Sequence, residues 1–142
     1  MDFKFLVVDD SVTMRRIVTN SLKALGYSSF VEAEDGRDAL AKLGVDDAIN
    51  FVITDWNMPN MTGLELTQAI RGNANTEDMP ILMVTTRGVK DDIMDALKAR
   101  VNNYVVKPFT PQILKEKLKK LTNIAKRRSK VDELVDYTKE AK

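Results

Sequence analysis

Short runs of apolar residues, rich in branched and aromatic side chains, recur along the chain, and each is too short for a buried helix. We assign five of these runs to strands: Phe3–Val8, Ser29–Ala33, Phe51–Thr54, Ile81–Thr85 and Asn103–Val106. Between them, apolar residues repeat at intervals of three and four positions, which is typical of one face of a helix. Strict alternation of strands and helices predicts a parallel sheet with helices on both faces, a doubly wound α/β fold.

Residues that begin and end helices stand at the expected places between the strands. Residues Thr62–Glu65 match a capping box, and Thr110 is followed by a proline suited to the first position of a helix. Gly26 and Gly72 stand where two helices should end. These signals support five helices, one after each strand.

The C-terminal segment extends the last helical pattern beyond Leu121. In the charged run 126–130 no apolar residue falls on the expected face, so we predict a break or hinge there, followed by a short extra helix. The apolar stripe of that helix comprises Val131, Leu134, Val135 and Thr138. We divide the chain into a domain, 1–121, and a helical extension, 122–142, which could form a lid on the domain, bind another chain or fray without a regulatory role.

The composition, with 44% hydrophobic and 30% charged residues, is that of an ordinary globular protein. No apolar run is long enough to span a bilayer and no secretory signal pattern is present, so we expect a cytoplasmic protein without a membrane partner. The absence of cysteine and histidine excludes disulfides, thiol chemistry and imidazole ligands. The formal net charge of +1 gives no general attraction for DNA.

Polar residues gather at the ends of four predicted strands, namely Asp9, Asp10, Asp55, Thr85 and Lys107. The carboxyl ends of parallel strands meet at one edge of the sheet, where ligands of such folds bind. Three carboxylates there would repel one another, and their oxygen atoms suit Mg²⁺ as the compensating cation. A metal and a lysine around an aspartate are the parts needed for phosphoryl transfer, with Asp55 as the nucleophile.

Seven segments resemble the response regulator receiver family, and in particular its chemotaxis (CheY-like) members. They are Phe5–Ser11, Thr13–Arg16, Glu32–Gly36, Asp55–Pro59, Gly63–Leu66, Met83–Thr86 and Tyr104–Thr110. The resemblance covers Phe3 to about Leu121. It implies a flavodoxin-like, CheY-like sheet of five parallel strands in the order 2-1-3-4-5, which periodicity alone does not decide.

The resemblance also implies roles for individual residues. Asp55 would be the phosphoacceptor, and Mg²⁺ would be held by Asp10, Asp55 and the main-chain carbonyl of Asn57, with Asp9 contributing through water. Lys107 would pair with the phosphoryl group. The chain would then be a signalling protein and no enzyme on outside substrates, catalysing only its own phosphorylation and dephosphorylation.

A switch and a partner surface follow from the same resemblance. Thr85 would donate a hydrogen bond to a phosphoryl oxygen, and Tyr104 would then move from an exposed to a buried position. Lys90, Tyr104 and Lys117 would contact the partner, expected to be a flagellar motor switch protein (FliM-like). A histidine kinase (CheA-like) would be the phosphodonor, a separate phosphatase could remove the group, and the chain would act as a monomer.

Two positions depart from or extend the pattern of the family. Arg100 stands where receivers commonly have a glycine, at a site that often requires a positive φ. The resemblance implies that Arg87, together with Asn57, would flank the path of an attacking water, so the lifetime of the phosphoryl group does not follow from the sequence. Lys107-Pro108 is expected to carry a cis peptide bond.

Three other functions remain open at this point. The chain could be a relay intermediate or a phosphate sink that does not act on the motor. A phosphohydrolase with an aspartyl-phosphate intermediate would have a second aspartate two residues after the nucleophile, where this chain has Asn57. A flavin carrier would need hydroxyls and main-chain donors where this chain has Asp9 and Asp10, which would repel the flavin phosphate.

Overall fold

Five strands and five helices alternate along the chain in the computed structural model, which describes the backbone of residues 2–140 and the side chains of residues 2–128. In chain order they are β1 (Phe5–Val8), α1 (Val12–Ala24), β2 (Phe30–Ala33), α2 (Gly36–Val45), β3 (Phe51–Thr54), α3 (Gly63–Arg71), β4 (Ile81–Thr85), α4 (Lys90–Lys98), β5 (Asn103–Val106) and α5 (Pro111–Glu140). All strand pairs are parallel, and the order across the sheet is β2-β1-β3-β4-β5. The predicted doubly wound fold and its strand order are confirmed.

The strands β1, β3 and β4 are buried along their whole length, which explains why their sequences are continuous apolar runs. Successive residues of a strand point to opposite faces of the sheet. Phe5 and Val7 therefore join one core with residues of α1 and α5. Leu6 and Val8 join a second core with residues of α2, α3 and α4.

The predicted helix ends are confirmed by their hydrogen bonds. Thr62 and Glu65 form a complete capping box at the start of α3, and Gly72 caps its end. The main-chain N–H of Ile113 donates to Thr110 Oγ1 (3.2 Å) at the start of α5. Each bond satisfies a terminal polar group that the helix itself leaves without a partner. Among the predicted strand bounds, only the starts of β1 and β2 differ, by two residues and one residue.

The predicted break in the C-terminal segment is wrong. The helix α5 runs from Pro111 to Glu140 without interruption, so residues 126–130 lie inside it. Lysine and arginine are good helix formers, and no glycine or proline interrupts the segment, so the loss of the apolar face does not end the helix. The predicted stripe of Val131, Leu134, Val135 and Thr138, and hence its docking as a lid, lies outside the described side chains.

The turn between α4 and β5 has the strained backbone that the sequence predicts. Arg100 has a φ of 68°, in the left-handed region that a glycine adopts more easily. The guanidinium of Arg71 donates two hydrogen bonds to the carbonyl of Arg100 (3.1 and 2.7 Å) and one to Asn102 Oδ1 (3.0 Å), which stabilises the turn. The Lys107-Pro108 peptide bond is cis.

Within the described residues, no helix combines the length and the apolar character needed to cross a membrane.

Candidate functional site

The carboxyl edge of the sheet brings the predicted acidic residues together. Asp9 and Asp10 follow β1, and Asp55 follows β3, the strand next to β1 at the centre of the sheet. Carboxylate oxygens of these three residues lie within 4.8 Å of one another. Asp9 and Asp55 are buried, whereas Asp10 is exposed, so the cluster opens to solvent on one side. Lys107, after β5, completes the group.

Each buried aspartate has one oxygen held by the backbone and the other turned to the lysine. Asp9 Oδ1 accepts a hydrogen bond from Ser11 N (2.9 Å), and Asp55 Oδ1 accepts one from Trp56 N (2.7 Å). Lys107 Nζ lies 3.2 Å from Asp9 Oδ2 and 3.5 Å from Asp55 Oδ2. The orientation of both carboxylates is thus set before any ligand binds.

The charge balance of this cluster favours a further cation. Burial raises the pKa of Asp9, and the charge of Asp55 raises it further, against the lowering effects of the Ser11 N–H and Lys107. One ammonium group does not compensate three carboxylates. Carboxylate oxygens are the ligands that Mg²⁺ prefers in proteins, so the donor set fits this ion.

Gly63 holds the loop after β3 close to the site, a role that we did not predict from the sequence. A Cβ atom at Gly63 would lie 1.8 Å from the main-chain oxygen of Asp55, so only glycine fits there. Its N–H donates to the main-chain oxygen of Trp56 (2.8 Å). The capping box of α3 places the glycine at the first helical position, but its close approach to β3 involves residues that are apart in the sequence.

A second unpredicted contact ties the same loop to the start of α2. The amide of Asn60, which has a φ of 67°, donates to Asp35 Oδ2 (2.8 Å). Asp35 Oδ1 caps α2 by accepting from Asp38 N (2.8 Å). The Asp38 N–H and, next, the Asn60 amide lower the pKa of Asp35, so its carboxylate is the form that the contact stabilises.

Thr85 and Tyr104 both contact Arg87, which lies in the loop after β4. Thr85 is fully buried at the end of β4, and its Oγ1 accepts from Arg87 N (3.4 Å). Tyr104 is partly buried, and its hydroxyl donates to the main-chain oxygen of Arg87. Burial and the nearby charge of Asp92 raise the pKa of Tyr104 to about 12. The phenol is therefore protonated at neutral pH and able to donate.

The side chains that follow Asp55 are divided between packing and polar contact. Trp56 and Met58 are buried in the core beneath α2, α3 and α4. Asn57 is exposed, and its Oδ1 accepts a hydrogen bond from Arg87 Nε (3.0 Å). The Arg87 guanidinium also lies 4.7 Å above the Trp56 ring.

The predicted partner residues lie on α4, β5 and α5. Lys90 is exposed at the start of α4, and Lys117 Nζ lies 3.1 Å from Oδ1 of Asn103, the residue before Tyr104. The same three elements and the turn before α4 expose the apolar side chains Val89, Met94, Leu97, Val106 and Ile113. These apolar side chains therefore lie on the same part of the chain as the predicted partner residues.

Comparison with known proteins agrees with this arrangement. The family model of the response regulator receiver domain matches residues 5–119. A chemotaxis protein CheY homolog of Campylobacter jejuni is 57% identical over 115 residues, 81% of this chain and 88% of that protein. Chemotaxis protein CheY1 of Helicobacter pylori is 55% identical over 81% of this chain and 93% of its own length. The solved structure of chemotaxis response regulator CheY4 of Vibrio cholerae is 36% identical, with a TM-score of 0.78 over 85% of this chain and 99% of that one.

Proposed function

The chain belongs to the response regulator receiver family, with chemotaxis response regulators among its relatives, and we propose that it accepts a phosphoryl group on Asp55 and thereby changes its binding to a partner. The observation that carries this proposal is the position of the Asp55 carboxylate. It is buried beside Asp9 and Asp10, and its Oδ2 faces Lys107 Nζ at 3.5 Å.

Asp55 Oδ2 is the nucleophile in this proposal. It attacks the phosphorus of a phosphohistidine on a histidine kinase, the bond from phosphorus to the histidine nitrogen breaks, and an acyl phosphate forms on Asp55. The Trp56 N–H holds Oδ1 and so fixes the direction of Oδ2. Lys107 pairs with the transferred group. Asp10, Asp55 and the main-chain oxygen of Asn57 would hold Mg²⁺, with Asp9 contributing through water, and the ion would supply positive charge to the phosphoryl oxygens.

Thr85 and Tyr104 pass the change on to the surface. The Thr85 oxygen accepts from the Arg87 N–H, which leaves its hydroxyl hydrogen free to donate to a phosphoryl oxygen. Movement of Thr85 shifts the loop that carries Arg87, whose carbonyl holds the Tyr104 hydroxyl. Water attack in line with the bond from phosphorus to Asp55, or a separate phosphatase, ends the signal.

A flagellar motor switch protein is the output partner in this proposal, and it would contact Lys90, Tyr104 and Lys117. The chain would act in the cytoplasm as a monomer, with residues 1–121 as the receiver and residues 122–142 as an extension. Exposed apolar side chains on α4, β5 and α5 support a protein partner at this surface. The alternative is a relay or sink receiver with the same site. Phosphohydrolase activity is disfavoured because the Asn57 amide cannot serve as a general acid or base.

Substitution of Asp10 by alanine is expected to weaken Mg²⁺ binding by more than about tenfold, because it removes an exposed carboxylate from the cluster. The quantity to measure is the dissociation constant, from calorimetry or from the fluorescence of Trp56, which adjoins Asp55. Asp47→Ala is the matched control, since Asp47 is an exposed aspartate just before β3, at the opposite edge of the sheet. Equal Mg²⁺ affinity in Asp10→Ala and Asp47→Ala would place the metal elsewhere.

Binding of a purified flagellar motor switch protein tests the output. Beryllofluoride with Mg²⁺ mimics a phosphoryl group on an aspartate, and we expect it to increase retention of the switch protein on the immobilised chain. Asp55→Asn should remove this increase without changing the basal retention. If the chain binds beryllofluoride but retains the same amount of switch protein with and without it, the motor switch protein is not the output partner. A relay or sink receiver would then be favoured.

A further inference from the structure

The loop after β3, residues 55–62, contains the one candidate Mg²⁺ ligand that is not a carboxylate, the main-chain oxygen of Asn57. A carboxylate is directed by rotation of its own side chain, whereas a main-chain oxygen points where the backbone places it. The direction of this ligand therefore depends on the contacts that hold the loop. Because Mg²⁺ requires nearly ideal octahedral geometry, an error in that direction lowers its affinity.

The centre of this loop is a tight turn with a strained backbone. The Met61 N–H donates to the main-chain oxygen of Pro59 (2.7 Å), and Asn60 between them has a φ of 67°. A three-residue turn with a positive φ at its centre is rare and costs energy. Such a conformation persists where surrounding contacts hold it, although asparagine tolerates it better than most residues. The contacts around Asn60 therefore decide the path of the loop.

The start of α2 supplies these contacts. The Asn60 amide donates to Asp35 Oδ2 (2.8 Å). The Gly36 N–H donates to the main-chain oxygen of Met61 (3.2 Å). Asp35 is itself buried and fixed in direction, because its Oδ1 caps α2 by accepting the Asp38 N–H (2.8 Å). Since an amide bonded to a carboxylate is held more strongly than one bonded to a neutral acceptor, the end of α2 fixes the turn at two adjacent residues.

On the premise that Mg²⁺ binds at the acidic cluster with the Asn57 carbonyl as a ligand, we propose that Asn60 is a positioning residue for the metal, whose bond to Asp35 holds the loop in the path that directs this carbonyl to the ion. Asn60 acts through the backbone and is no ligand itself. Without the bond the loop relaxes, and the carbonyl has to be ordered when Mg²⁺ binds. The affinity then falls with the fraction of molecules in which the loop is in the competent form.

The other anchors of the loop explain why Asn60 is expected to affect Mg²⁺ binding more than the stability of the fold. Gly63 packs directly against the main-chain oxygen of Asp55 at the end of β3. Met58 is buried among core residues. These anchors remain when the Asn60 bond is lost. The fold is therefore retained, and the change is confined to the exposed part of the loop, which includes Asn57.

Two variants remove the same bond from opposite sides. Asn60→Gly deletes the amide and keeps a residue suited to the positive φ, so the turn is not strained further. Asp35→Asn keeps a helix cap, since asparagine caps helices about as well as aspartate, but turns an amide nitrogen towards the Asn60 amide. The first variant changes no charge and the second leaves the loop sequence unchanged, so the lost bond is the effect that they share.

The experiment measures the dissociation constant of Mg²⁺ for the full chain by calorimetry. Each variant is expected to bind Mg²⁺ about three- to tenfold more weakly than the wild type, at or below the lower end of the range for residues that support metal ligands. The double variant should be weakened by less than the product of the two factors, because the bond can be lost only once. Labelling of Asn60→Gly by acetyl phosphate should need more Mg²⁺ but reach the wild-type rate at saturation.

Asn50→Gly is the matched control. Asn50 also joins separate segments, since it accepts the Lys4 N–H (2.9 Å) and donates to the main-chain oxygen of Asp2 (2.8 Å). It lies just before β3, however, at the opposite edge of the sheet from the acidic cluster. Its replacement should lower the midpoint of urea unfolding without changing the affinity for Mg²⁺, whereas Asn60→Gly should do the reverse.

Three outcomes would contradict the positioning role. Wild-type Mg²⁺ affinity in Asn60→Gly and Asp35→Asn, under conditions in which Asp10→Ala weakens binding, would overturn it and leave the metal site standing. Factors that multiply fully in the double variant would show that the two residues act independently, and would overturn it as well. If the wild type itself binds no Mg²⁺, the metal site is wrong and the positioning role falls with it.

Discussion

Replacement of Asp55 by asparagine is expected to abolish the transfer of a phosphoryl group from acetyl phosphate to the chain. Asparagine has nearly the same shape but lacks the anionic oxygen that faces Lys107 at 3.5 Å, so it cannot form an acyl phosphate. Loss of a nucleophile lowers a rate by on the order of a thousandfold or more, which here means no detectable labelling. The fold should be retained, because the oxygen of the introduced amide can still accept the Trp56 N–H.

Mass spectrometry of the intact protein after incubation with acetyl phosphate and Mg²⁺ provides the measurement. The wild type and the control Asp47→Asn should gain one phosphoryl group. Lys107→Ala should keep part of the labelling, because the nucleophile remains, but its labelling should no longer alter the environment of Tyr104. Labelling that persists in Asp55→Asn would place the acceptor at another residue.

Replacement of Gly63 by alanine is expected to destabilise the fold by about 3 kcal/mol or more. The added Cβ would lie 1.8 Å from the main-chain oxygen of Asp55 and 2.8 Å from its carbonyl carbon. Both contacts are with backbone, so no side-chain rotation relieves them, and α3 must move away from the end of β3. Since this end carries the candidate phosphoacceptor, labelling by acetyl phosphate should fall as well.

Gly44→Ala is the matched control for this prediction. Gly44 also lies in a helix, α2, but nothing lies within 4 Å of a Cβ built there. Alanine should therefore stabilise the protein by about 0.5–1 kcal/mol, because it restricts the unfolded chain and favours the helix. Urea unfolding measures both variants. A midpoint for Gly63→Ala equal to that of the wild type would show that α3 adjusts without cost.

The periodicity of apolar residues predicted the elements of the domain because it reflects a local requirement. A strand buried on both faces needs a continuous apolar run, as in β3 and β4, and a surface helix needs one apolar stripe. The alternation of these elements determined the parallel sheet and therefore which strand ends meet. For this reason Asp9, Asp55 and Lys107 could be placed together before the structure was known. The order of the strands required the family resemblance, since periodicity does not distinguish it.

The tertiary structure decided what depends on contacts between distant segments. The close approach of Gly63 to Asp55, the bond from Asn60 to Asp35, and the contacts of Arg87 with Asn57 and Asp92 each join side chains or backbone of different elements. No local pattern reports such distances.

The continuous helix α5 shows a case in which the pattern of apolar residues gave a wrong prediction. No apolar residue continues the helical pattern at 126–130. The helix nevertheless extends to Glu140, because the residues there have high helix propensity and no glycine or proline interrupts them. The sequence by itself determined the strands and helices, the parallel sheet and the edge at which the acidic residues meet, because burial imposes a local pattern on each element and parallel strands end at one edge. Only the tertiary structure showed that Arg87 contacts both Asn57, near Asp55, and Tyr104. These residues are far apart in the sequence and are brought together by the packing of the strands.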